Sequence, residues 1–104
     1  MLVLLAAFVA IKLRDAGPKH VSLSTLVLDQ SQYVGAEINT SGTLRRFTDP
    51  NGSSYYILTD PEQDRVIVRP ATAAAAYLHR HVTITGKFEF DPHAGRILKA
   101  RHVQ

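Results

Sequence analysis

The residues able to do chemistry in this 104-residue chain are histidines, turn carboxylates, hydroxyls and arginines, and there is no cysteine. Without cysteine there are no disulfides, no thiolate metal sites and no cysteine nucleophile. His79 and His81 flank Arg80, while His93 and His102 stand apart. A zinc or iron site needs three or more ligands converging on one point, often with carboxylate help, and a His-Arg-His run at a helix-to-strand junction does not supply that. Asp49, Asp60, Glu62, Asp64 and Asp91 all fall in turn-like stretches, where aspartate side chains bond to nearby backbone N–H groups. Serine, histidine and aspartate occur, but no spacing singles out a triad. No glycine-rich loop follows a strand and opens a helix to cradle a phosphate. The expectation is a non-enzyme with no cofactor and no metal.

Composition bounds the rest. Apolar residues make up 45% and charged residues 20%, which fits one ordinary globular domain with a modest core. The net charge of +3 is uneven. Residues 1–64 carry five Lys/Arg against seven Asp/Glu, or −2, whereas residues 65–104 carry seven against two, or +5, with four of the five histidines. A basic C-terminal half favours phosphates or anionic lipid, or simply forms a solvated basic face.

Residues 1–16 form an apolar segment, with Met1 to Ile11 free of charged side chains and Lys12, Arg14 and Asp15 closing it. As a helix through Leu13 it spans about 20 Å, against about 30 Å of hydrocarbon. Its basic residues follow the apolar run, the reverse of a secretory signal. Its apolar residues cover every face rather than one stripe. The segment is therefore expected to be an N-terminal apolar helix anchoring the chain to a membrane or a protein partner; the alternative is packing on this domain's own core. If it spans a membrane, Lys12, Arg14 and Lys19 place the domain on the cytoplasmic face by the positive-inside rule. Residues 17–20, with Gly17-Pro18, read as a linker.

Residues 21–104 read as one domain. Val21 to Tyr33 is either a short helix or an entering strand, with Ser22 and Ser24 as possible caps. The chain then shows one strand pattern twice. An aromatic, five residues to a branched residue, then a mid-strand glycine occurs as Tyr33, Ile38, Gly42 and again as Tyr77, Val82, Gly86. Each copy runs into an Asp-Pro turn ending in glycine, Asp49 to Gly52 and Asp91 to Gly95. Five strands are predicted: Glu37–Phe47, Ser54–Thr59, Arg65–Arg69, His81–Phe90 and Arg96 to about Val103. Period-two alternation puts Ile38, Leu44, Tyr56, Leu58, Val66, Val68, Val82, Ile84, Phe88 and Phe90 inside. The alanine-rich stretch Ala71–Arg80 reads as one helix between strands three and four. Gly42 and Gly86 stand where strands bend to serve both sides of a closed barrel.

Three strands, a helix and two strands, with glycine in strands one and four, resemble the OB fold, the oligonucleotide/oligosaccharide-binding five-stranded Greek-key barrel. The Tyr33, Gly35, Ile38, Gly42 series and the Tyr56, Leu58, Asp60 series are similar in particular to the small tRNA-anticodon-type OB domains. The resemblance implies a ligand-binding face on strands two and three, framed by the loops between strands one and two and between four and five. In this chain that face is Tyr55, Ile57, Arg65, Ile67 and Arg69, with Arg45 and Phe47 beside it and Asn51, His93 and Arg96 in the framing loops. Aromatics that stack bases beside arginines that meet phosphates suit single-stranded nucleic acid. Short framing turns and the acidic stretch Asp60 to Asp64 oppose it. The apolar N-terminus points instead to an accessory or interaction subunit held at a membrane or membrane complex, and this reading is preferred. His102 near the end of the last strand is also similar to the membrane-tethered OB haem chaperones of cytochrome c maturation. There a haem-attaching histidine follows the last strand, with a tyrosine four residues later; here the sequence ends at Gln104.

Overall fold

The computed structural model of the protein describes residues 18–104. The expected apolar helix over residues 1–16 lies outside the described residues. The architecture is mainly β. Its strands are β1 (Lys19–His20), β2 (Glu37–Thr48), β3 (Ser54–Thr59), β4 (Arg65–Arg69), β5 (His81–Asp91) and β6 (Gly95–Val103), with short helices α1 (Leu23–Leu28), α2 (Gln30–Tyr33) and α3 (Ala71–Ala75). The strands form one sheet in the order β1-β2-β3-β4-β6-β5, and a further β2–β5 pairing closes it into a ring.

The repeated pattern explains the closure. β2 and β5 are the two copies, and they pair antiparallel so that Gly42 faces Val82 and Gly86 faces Ile38. Each glycine thus meets the branched residue four positions before the other, and the local two-fold axis runs between the equivalent residues Thr40 and Ile84. Thr43 pairs with His81 of β5 and also with Thr59 of β3, so β2 changes neighbours just past Gly42. A Cβ on Gly42 would stand 2.7 Å from the Thr59 carbonyl oxygen, and one on Gly86 would fall closer still to that of Lys99. Both positions require glycine for backbone approach. The pairing of β5 with β6 shifts register between Thr85 and Gly86, where Thr85 faces His102 but Gly86 faces Ala100. The extra residue, Arg101, reaches Glu37 with a 2.6 Å bond from Nε to Oε1.

The interior follows the alternation closely. Ile38, Leu44, Leu58, Val66, Val68, Val82, Ile84 and Phe88 are all buried in one cluster, with Tyr56 packed at its margin. Phe90 departs from the expectation, since it is 45% exposed and faces Arg96 beyond the end of the core. Within Val21 to Tyr33 the chain forms the two short helices α1 and α2. Ser22 Oγ accepts the Thr25 N–H at 3.2 Å to start α1, and Leu23 and Leu26 are buried. Their contact with β2 and β4 plugs one end of the ring. Tyr33 and Tyr77, the first residues of the two copies, both pack against the core.

Three expectations need correction. The sheet has six strands rather than five, because Lys19 and His20, in the stretch read as linker, pair in parallel with Ile38 and Asn39. Val21 N–H also donates to the Asn39 carbonyl at 2.9 Å. Such a short strand carries no alternation to read. The helix over 71–80 is only Ala71–Ala75. Beyond it Tyr77 N–H bonds back three residues to Ala74, His79 takes a left-handed φ of 69°, and its N–H donates to the Leu44 carbonyl at 2.7 Å. Alanine propensity yields there to the hydrogen bonds that hook the segment onto β2. Arg96 belongs to β6 rather than to a framing loop.

Candidate functional site: the outer face of β3, β4 and β6

The outward residues of these strands fall into rows set by register. One row runs Arg45, Ile57, Ile67, Ile97, Glu89. A second pairs Phe47 with Tyr55 and, across β4 and β6, Arg69 with Lys99. A third pairs Thr59 with Arg65. Seven of the nine expected face residues therefore stand in these rows, Arg96 lines the same groove and His93 sits in the β5–β6 turn, but in different states. Arg45, Phe47, Arg65, Arg69 and His93 are exposed, whereas Tyr55, Ile67 and Arg96 are half-buried. Ile57 is only 8% exposed and Ile97 3%, and neither belongs to the interior cluster. The centre of the face is thus an isoleucine row largely covered by its own flanks. Ile97 was not legible as a face residue, because an Ile-Leu pair at 97–98 does not say which member points inward.

Arginines rim this row. A groove of about 210 Å³ is lined by Tyr55, Ile57, Arg65, Ile67 and Arg96. Arg96 Nε donates to the Arg65 carbonyl at 3.2 Å, which fixes the groove's end. A neighbouring hollow of about 430 Å³ is lined by Arg45, Ile57, Asp60, Gln63 and Arg65, so a carboxylate shares it with two cations. At the far edge Glu89 takes Lys99 at 3.4 Å and Lys87 at 3.9 Å. The face is basic at its rim, apolar at its centre and interrupted by acids. Its two aromatics, Phe47 and Tyr55, pack on each other with centroids 5.2 Å apart and planes tilted by 35°.

The framing turns are tight. Asp49 accepts the N–H groups of Asn51 and Ser53, both at 3.0 Å, and Gly52 takes a φ of 88°. Asp91 accepts those of His93 at 2.7 Å and Ala94 at 3.2 Å, leaving His93 exposed at the tip. Those two backbone bonds hold the Asp91 carboxyl below the usual aspartate range, with smaller help from the charges of His93 and Arg69. Asp60 accepts the Asp64 N–H at 2.9 Å. The aspartates that open these turns are committed to shaping them.

His102 lies within β6, exposed, facing Thr85, with Nε2 3.0 Å from Gln104 Oε1. Among the described residues no three His, Asp or Glu side chains converge as a metal site. No described helix is long and apolar enough to cross a membrane. No protein-family model matches this sequence, and no curated protein matches it closely enough to count as a relative.

Proposed function

We propose that the chain is a non-enzymatic OB-type binding module, an accessory subunit that engages a protein partner through the outer face of β3, β4 and β6. Residues 1–16 hold it at a membrane or membrane complex. Support for the OB reading comes from the ring order of β2 to β6 and the helix between β4 and β5, which match a Greek-key barrel of that kind. One observation carries the partner class: the face has an apolar centre, an arginine rim with two aromatics, and interspersed carboxylates. Protein interfaces combine an apolar centre with a polar rim and use tyrosine and arginine as anchors. A single-strand groove uses unbroken positive charge and free aromatic faces, whereas here Phe47 and Tyr55 occupy each other and Asp60 borders Arg45 and Arg65.

The test is capture from solubilised membranes with the full chain, with and without nuclease. Nuclease-resistant capture is expected, and it should fall at least tenfold for Phe47→Ser/Arg65→Glu, two exposed changes, each worth about 1–2 kcal/mol at an anchor position. Nuclease-sensitive capture contradicts the reading. So does submicromolar oligonucleotide affinity abolished by Tyr55→Ala. A second reading, single-stranded nucleic acid, draws on the exposure of Arg45, Arg65 and Arg69 beside Phe47. On that reading, loss of one phosphate-contacting arginine lowers the salt slope by about 0.7.

A further inference from the structure

The wall of the ring is not continuous. β3 and β4 pair from Thr59↔Arg65 to Tyr56↔Val68 and no further. Ser54 and Tyr55 continue with β2, where Ser54 faces Thr48, while Arg69 continues with β6, facing Lys99. The two strands follow different neighbours and part. The resulting cleft measures about 690 Å³, within the range of small-ligand sites. Its lining includes Tyr55, Tyr56, Val68, Pro70 and Ala71, with Arg69 and Lys99 as its only charged groups.

We propose that this split is a binding cleft for a small aromatic carboxylate, a site at the margin of the outer face that shares Tyr55, Arg69 and Lys99 with it but not Phe47 or Arg65. The ligand's ring lies against the two tyrosines, Val68 and Pro70, and its carboxylate meets the Arg69 guanidinium. Arg69 is exposed and makes no ion pair among the described residues, and Asp91 feels its charge only weakly. Lys99 shares Glu89 with Lys87 and is only partly compensated, which leaves the Arg69 guanidinium as the cation without an ion pair in the cleft. The planar guanidinium fits the two oxygens of a carboxylate. Tyr55 and Arg69 were legible as face residues, but the cleft was not, because it exists only through the parting of two strands.

The experiment is a titration of the isotope-labelled full chain with 1-naphthoate, followed by amide shifts. Saturable binding with Kd below about 1 mM is expected, with shifts centred on residues 53–56, 68–71 and 99. Acetate, which lacks the ring, and naphthalene, which lacks the charge, should not saturate the site. Arg69→Gln should weaken naphthoate about tenfold or more, and Ala71→Trp, at an exposed position on the cleft wall, should block it. Neither change touches the core. Absence of saturable binding overturns the proposal. So does naphthoate binding that ignores either substitution, since it would then use the arginine without the cleft or the cleft without the arginine.

Discussion

Thr40 and Gly86 show how single positions of one strand pattern differ in consequence. Thr40 lies on the inward face of β2 between Ile38 and Gly42, and its Oγ1 is buried without a hydrogen-bond partner. Valine keeps the shape and removes the orphaned hydroxyl, so Thr40→Val is expected to raise stability by about 1 kcal/mol, read from the denaturant midpoint. Gly86→Ala sets a Cβ against the Lys99 backbone, which must move, and should cost about 2–4 kcal/mol. Gly42→Ala meets one carbonyl at 2.7 Å and otherwise side chains of Leu58 and Leu23, and should cost less, about 1–2 kcal/mol. Equal losses at the two glycines would contradict the assigned crowding. Asp91 gives a pH signature. Its folded-state pKa is lowered by the His93 and Ala94 amides, so its contribution is complete above the unfolded value and is lost as pH falls through the folded one. Wild type and Asp91→Ala should therefore differ near neutrality and converge below the ordinary carboxylate range, as thermal melts at stepped pH will show.

At the scale of elements, the long strands were the most legible parts. Twelve residues of β2 and eleven of β5 give alternation enough room to name the buried face. It failed at Phe90, where the pattern continues but the ring has ended, so an inward-facing side chain meets no core. The short strands β3 and β4 were legible with their bounds, whereas the segment before β2 stayed open between helix and strand. α1 has six residues, too few for a periodic signal. Its existence rests on the Ser22 cap and on burial of Leu23 and Leu26 against the ring. Ser22→Ala is expected to cost about 0.5–2 kcal/mol, and Leu26→Ala about 2–5 kcal/mol because the plug leaves a cavity. Differential scanning calorimetry should show one lowered transition for each. A separate early transition would mean α1 melts independently of the ring.

For the molecule as a whole, every core residue of the described structure lies at or after Val21, and the pairing begins at Lys19. Deletion of residues 1–16 should therefore leave the ring folded, with an unchanged denaturant midpoint, and release the protein from membranes or its complex in a flotation assay. Unfolding of the truncated chain would make that segment part of the core. Deletion of residues 1–20 also removes β1 and its parallel contacts, and should lower stability measurably.

The sequence by itself determined the β character, the interior of the long strands and the tight Asp-Pro turns. Each rests on local rules: side chains alternate along a strand, and an aspartate bonds the backbone a few residues ahead. The duplicated glycine pattern was also visible, though not that its two copies face each other about a two-fold axis. Tertiary structure alone decided the character of the outer face. Whether Ile57 is open or covered depends on Arg65, Ile67, Ile97 and Arg96 from other strands, and whether Phe47 and Tyr55 are free to stack depends on their pairing across the β2–β3 register. The cleft between β3 and β4 depends on two strands following different neighbours. Such features arise between residues far apart in the chain, where no local spacing records them.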